Sequence, residues 1–249
     1  MTAVRWATLM IVVLWLGQGV AGSDATEKPP GQNKATQADA ERMIRAAEGT
    51  LAPVYAPLAQ EIVEKLGLAG KEGVGIDLGS GPGTLILELC KRTNLHWINA
   101  DINAYFFPYF VGRAQVAGYA GRVSAIRADA CSLPFRDDFV EVVVSRGSLQ
   151  FWPDLRKGLS EIYRVLKPGG GAYIGRGLPE RLPVEVAGRM RSEQGKDMKY
   201  DPDKTEQQLR ELVQTLGIKD YRIHRPRVGN PEGINYGVWL EFHKPRPGQ

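Results

Sequence analysis

Two acids and three alternating glycines are the residues of this chain best suited to bind and orient a ligand. Asp77 lies in the apolar run Val74-Gly-Ile-Asp-Leu78. Gly79, Gly81 and Gly83 follow at every second position, and Thr84-Leu-Ile-Leu-Glu-Leu-Cys90 then has the pattern of a helix. The order is strand, tight turn, helix. Glycine takes positive φ and puts no Cβ against a ligand, and a helix start offers unpaired N–H groups, so a nucleotide-like ligand is expected at this turn. A second acid, Asp101, ends the short strand His96-Trp-Ile-Asn-Ala-Asp101, 18 residues after Gly83 and 24 after Asp77. An α/β nucleotide fold sets a ribose-binding carboxylate at about that distance; the alternative is an acid that caps the next helix.

Charge narrows the choice of ligand. A carboxylate beside a pyrophosphate repels it, whereas one beside an ammonium group attracts it. Asp77 sits two residues before the first glycine, and Thr84 stands where a dinucleotide fingerprint has its last glycine. Both features favour a nucleoside with a positive amine over a nicotinamide dinucleotide.

The elements that must position these residues alternate along the chain. Helical spacing covers Ala38 to about Glu48 and Pro57 to Leu66, with Tyr55 between them as either a pocket wall or packing. The aromatic stretch Tyr105-Phe-Phe-Pro-Tyr-Phe110, continuing to Tyr119, predicts a second crossover helix with most of the stripe in the core. Strands are expected at Arg122–Arg127, at Val140–Ser145 and, after a helix over Asp154–Leu166 stopped by Pro168-Gly-Gly-Gly171, at Ala172–Gly175. Asp203 and Glu206 look like a capping box for a helix to about Leu216, and Tyr221–His224 and Tyr236–His243 read as two last strands, the second antiparallel. This alternation predicts an α/β fold: a doubly wound, mostly parallel seven-stranded sheet with an antiparallel edge strand.

At 249 residues, 43% of them hydrophobic, the chain is long enough for one α/β domain. The net charge of +4 comes without a run of basic residues interleaved with aromatics, so no nucleic-acid partner is expected. Two separated cysteines, Cys90 and Cys131, and three scattered histidines predict no metal site. Residues 1–25 carry one early arginine, Arg5, an uncharged apolar centre and a small-residue exit around Ala21 to Ala25. They are read as a signal-peptide-like or anchor segment. The protein is then exported or membrane-anchored, with membrane association through this segment, or lies on the cytoplasmic face if the segment is an uncleaved anchor. Residues 26–36 read as a linker and 37–246 as the catalytic domain, with an insertion at about 178–202.

On these residues the chain resembles the class I S-adenosylmethionine-dependent methyltransferases, in particular the type 11 group that includes quinone and small-molecule methylating enzymes. The likeness runs from about Tyr55 to about Gly175. Val74 to Thr84 is similar to motif I, and Leu133-Pro-Phe with Phe139 and Glu141 is similar to the stretch after the adenine loop. Glu161-Ile-Tyr-Arg-Val-Leu-Lys-Pro-Gly-Gly170 is similar to the helix and turn before the fifth strand. The resemblance implies a Rossmann-like fold, S-adenosylmethionine as cofactor and methyl transfer to a small molecule. It implies that Asp77, Leu78, Gly79, Ser80, Gly81 and Gly83 hold the methionine part, that Asp101 takes the ribose, and that Ile102 packs on adenine. Asp129 and Ala130 would meet the adenine edge, and Ser145 would lie where cofactor meets substrate.

Arg146, beside Ser145, is read two ways: as a clamp for an acidic substrate or as the partner of a nearby acid. Tyr55, Tyr105 and Trp152 are candidates for a substrate wall, and Ser145 and Arg146 for positioning; no general base is assigned. The alternatives are a cofactor-binding sensor without catalysis and a nicotinamide-dependent oxidoreductase.

Overall fold

The computed structural model describes residues 35–193 and 200–248. The signal-like segment at 1–25, most of the linker at 26–36 and the middle of the insertion lie outside the described residues. Helices α1 (Gln37–Glu48) and α2 (Ala52–Lys65) lead into β1 (Val74–Leu78), α3 (Thr84–Cys90), β2 (His96–Asp101), α4 (Phe107–Val116) and β3 (Val123–Arg127). Then follow β4 (Val140–Arg146), α5 (Leu155–Val165), β5 (Leu166–Gly177), α6 (Val184–Glu193), α7 (Pro202–Thr215), β6 (Tyr221–His224) and β7 (Gly237–His243). The strands form one sheet in the order β3-β2-β1-β4-β5-β7-β6. The first five are parallel, and β7 runs antiparallel to both β5 and β6.

The pleat divides the core between two faces, because successive strand side chains point opposite ways. Val142, Val144, Tyr173 and Trp239 pack under α2, α3, α4 and α6. Val143, Ile174, Val238 and Leu240 pack under α5 and α7. A strand covered on both sides must be apolar throughout, which explains the β-branched run in β4. In the crossover to α3, Gly83 has φ +73°, and a Cβ there would lie 2.1 Å from the Phe110 ring. This position has to be glycine for both reasons.

The structure corrects four local expectations. Helix α2 begins at Ala52 and runs through Pro57, so Tyr55 lies within a helix instead of at a junction. Pro57 removes only the bond to the Pro53 carbonyl, and burial of Val54, Leu58 and Ile62 outweighs that loss. Of the aromatic stripe only Phe106 and Phe110 are core; Tyr105 is exposed, and Phe107 and Tyr109 are half-buried. Strand β5 starts at Leu166, and residues 168–171 belong to it. The Gly169 N–H donates to the Lys244 carbonyl at 2.7 Å and the Lys244 N–H returns to the Gly170 carbonyl at 2.9 Å; a Cβ on Gly169 would collide with Arg246, and one on Gly170 would press on the Lys167 and Glu141 carbonyls. The cap of α7 is Asp201, which accepts from the N–H groups of Asp203 and Lys204; Asp203 and Glu206 instead bind Arg225.

Gly67 also has positive φ, at +58°, but with open space around it. Gly67→Ala is expected to cost about 1 kcal/mol of backbone strain. Gly83→Ala adds the collision with Phe110 and should cost about 3–5 kcal/mol. Denaturant unfolding of the two variants checks this order.

Candidate functional site

The turn after β1 is held by β2. Gly79 N–H donates to the Ala100 carbonyl at 2.7 Å, and Asn99 Nδ2 donates to the Gly81 carbonyl at 3.0 Å. Asp101 accepts the Gly81 N–H on Oδ2 and the Asn103 N–H on Oδ1, both at 2.8 Å. A carboxylate has about four lone-pair sites, so these bonds leave capacity for a ligand hydroxyl. Asn99 and Asn103 were not singled out from the sequence, although Asn99 occupies the strand position opposite Asp77. An asparagine in the middle of an otherwise apolar strand was the signal available.

Ser145 and Ser148 close the turn from the β4 side. Ser145 Oγ donates to the Leu78 carbonyl at 2.7 Å and lies 2.6 Å from Ser148 Oγ, which reaches the same carbonyl at 3.2 Å. Ser145 is thus a buried brace for the end of β1, with its hydroxyl bonded to the Leu78 carbonyl and to Ser148.

Asp77 lies on the same sheet face as Val144 and Arg146, at the carboxyl end of the parallel strands, where open α/β sheets bind ligands. Burial pushes its carboxyl up to about 7; the Ser80 hydroxyl, 2.7 Å from Oδ2, opposes this, Asp101 adds to it, and Arg146 opposes it. Burial likewise raises Asp101, against the backbone N–H groups of Asn103, Gly81 and Ile102. The Arg146 guanidinium lies 5.6 Å from the centre of the Tyr55 ring. Burial lowers its pKa, and Tyr55 and Asp77 favour its charged form.

Two buried polar atoms around this cradle have no hydrogen-bond partner among the described residues: Asn99 Oδ1 and Arg146 Nε. An amino-acid nucleoside fits the set. Its ammonium group suits Asp77 and Asn99 Oδ1, and its ribose suits Asp101. Ile102, 51% exposed next to Asp101, offers an apolar surface for a flat base. Asp129 is half-buried with Oδ1 on the Cys131 N–H at 2.8 Å, beside buried Ala130. Tyr105 is exposed at the start of the α4 segment, with its N–H on Asn103 Oδ1. Trp152 is only partly buried, and its ring lies against Gly158, where a Cβ would stand 2.6 Å away, so it packs on α5 beside the second core cluster.

The family described as a methyltransferase domain matches residues 76–174. Residues 76–174 are a methyltransferase domain. A solved structure from Methanococcus maripaludis, named as an S-adenosylmethionine-dependent methyltransferase, matches 90% of this chain and 98% of its own at 26% identity, with a TM-score of 0.74. A demethylmenaquinone methyltransferase of Clavibacter sepedonicus is 40% identical over 99 residues, which is 40% of this chain and 39% of that protein. A 2-methyl-6-phytyl-1,4-hydroquinone methyltransferase of Spinacia oleracea is 31% identical over 112 residues, 45% of this chain and 32% of its own length. The chain therefore spans about a third of the length of the curated relatives it matches. The methyltransferase match rules against the nicotinamide-dependent oxidoreductase reading. Among the described residues no cluster of three metal-ligating side chains occurs, and no helix is long and apolar enough to cross a membrane.

The methyltransferase domain keeps Asp77 protonated below about pH 7 when no ligand is bound, and binding of an ammonium group requires the carboxylate. Affinity for S-adenosylhomocysteine should therefore be flat above about pH 8 and fall about tenfold per pH unit below about 7, measured by calorimetry. The folded-state value lies above the ordinary carboxylate value, so the stability contributed by this group declines as pH rises from about 4 to 7. At pH 8 Asp77→Asn is expected to stabilise the ligand-free protein by about 1–3 kcal/mol, while abolishing the pH dependence of ligand binding and most of the affinity. Thermal unfolding with and without ligand tests both.

Proposed function

We propose that this protein is an S-adenosylmethionine-dependent methyltransferase that methylates a small molecule. The observation that carries this reading is the buried Asp77 carboxyl at the foot of the glycine turn with Asp101 beside it, two acids suited to the amine and the ribose of one ligand. When bound, S-adenosylmethionine supplies a methyl group on a positively charged sulfur. The work of the chain is to bind, align and keep water away. Asp77 and the backbone of Leu78 to Gly83 hold the methionine part, Asp101 the ribose, and Ile102, Asp129 and Ala130 the adenine. Alignment of this kind is worth about 7–11 kcal/mol of barrier, so a dedicated base is not required when the acceptor is nucleophilic.

The histidines support a mechanism without a histidine base, because each is engaged elsewhere. His96 lies 3.1 Å from Ser124 Oγ, His224 2.7 Å from Glu241, and His243 3.7 Å from Asp220. The relatives named for hydroquinone and demethylmenaquinone methylation make a small aromatic acceptor the first class to screen. The signal-like segment at 1–25 supports an exported or membrane-anchored enzyme, and N-terminal sequencing of the mature protein distinguishes cleavage near Ala21 or Ala25 from a retained anchor.

Asp101→Ala removes ribose acceptors and the anchor of the Gly81 N–H together. It should weaken S-adenosylhomocysteine binding by about 1.5–3 kcal/mol, roughly 10- to 150-fold in Kd. Calorimetry reads this directly, and unchanged affinity would remove Asp101 from the site. Transfer of labelled methyl from S-adenosylmethionine into a metabolite extract, lost in Asp77→Asn, separates the enzyme from a non-catalytic binder. Tight cofactor binding with no transfer to any extract would overturn the catalytic part.

A further inference from the structure

Three arginines lie toward the carboxyl end of β4 and β5: Arg146 is inside the family match, and Arg176 and Arg191 lie beyond its end at residue 174. Arg146 ends β4 and pairs with Gly175, the residue before Arg176. Arg176 lies 4.6 Å from the centre of the Tyr200 ring, and the Tyr200 hydroxyl donates to the Arg176 carbonyl at 3.2 Å. Arg191, on α6, is anchored by its Nε to the Asn235 carbonyl at 2.9 Å. Arg176 and Arg191 each make a further contact besides these. Arg146 has its Nε sealed from solvent and without a hydrogen-bond partner among the described residues, and it lies beside Asp77 and Tyr55.

We propose that the methyl acceptor carries a carboxylate or phosphate group, bound by Arg146 with Arg176 and Arg191 forming the positive rim behind it. The inference rests on the methyltransferase reading and specifies its substrate class. Guanidinium groups bind planar or tetrahedral oxyanions through paired N–H donors, and such charge-assisted bonds strengthen where water is excluded. Arg191 shows that the groups lie close together: burial first, and then the positive charges of Arg146 and Arg176, push its pKa down. Holding the Arg146 guanidinium in a desolvated site raises the energy of the free site, and an arriving anion relieves that cost. A neutral hydroquinone gives no such relief. The two tyrosine faces at Tyr55 and Tyr200 hold the guanidinium planes in place, so little side-chain freedom is lost when the anion binds.

The test uses the full chain loaded with S-adenosylhomocysteine and titrated with benzoate, phenyl phosphate and, as the neutral probe, hydroquinone. The expected result is binding of at least one anion, at least tenfold tighter than hydroquinone, and weakened about tenfold or more in Arg146→Met and in Arg191→Gln. Arg146→Lys should recover only part of the loss, because an ammonium group lacks the paired donors. S-adenosylhomocysteine binding by each variant verifies its fold; if Arg146→Met does not fold, Arg191→Gln alone decides. Binding of hydroquinone as tight as that of the anions, anion affinities unchanged by the arginine substitutions, or no anion binding up to about 10 mM overturns the proposal. Failure of the wild-type protein to bind S-adenosylhomocysteine would bring down the methyltransferase reading instead, and the same anion titrations without cofactor would still test the clamp.

Discussion

One carboxylate ties the two halves of the cofactor cradle together. Asp101, at the tip of β2, takes the Gly81 N–H from the turn after β1 and the Asn103 N–H from its own loop. The turn cannot move without breaking a charge-assisted bond in a buried site, so the glycine backbone and the carboxylate are set relative to each other before any ligand arrives. The Asn103 side chain extends the same constraint to α1 by donating to the Thr36 carbonyl at 3.0 Å, next to the capping box that starts that helix. A single acid thereby positions the lead-in helix, the turn and the loop that follows β2.

The second acid is balanced differently. Asp77 is buried with one hydroxyl, a neighbouring carboxylate and one guanidinium as its electrostatic company, and the first of these influences, burial, dominates. A carboxyl kept near neutrality at physiological pH is a poor structural ion pair and a good receptor for a cation. The instability of the free site and its affinity for the ligand are two aspects of the same energy term. Arg146 sits between this acid and the arginine rim, so the amine of one ligand and an anion on another would be arranged on opposite sides of it.

The cofactor half of the site was legible in the sequence because its information is local. Asp77, the alternating glycines and Asp101 occupy two consecutive strand ends, and parallel pairing of β1 with β2 brings such ends together in any right-handed crossover. What the sequence left open at Ser145, near the end of β4, and at Trp152, after it, is the direction of each side chain, which depends on what is packed beside it. For Ser145 that neighbour is Ser148, and for Trp152 it is Gly158. The arginine rim was hidden more deeply. Neither Arg176 nor Arg191 was singled out from the sequence; Arg176 lies in the extension of β5 beyond Gly175, and Arg191, within the insertion, is seated on α6 by its bond to Asn235.

The order of the last strands bears on how the molecule assembles. β7 lies between β5 and β6, and among the described residues β6 pairs with no strand other than β7. The described strand that comes latest in the sequence is therefore an interior member of the sheet. As the chain emerges from the ribosome, β6 has nothing to pair with, and β5 offers an unpaired edge until residues Gly237–His243 have been made and have closed the ladder. Exposed edges of this kind invite pairing with other chains, so the interval before β7 closes the ladder is an aggregation-prone one, with β1 to β4 already made.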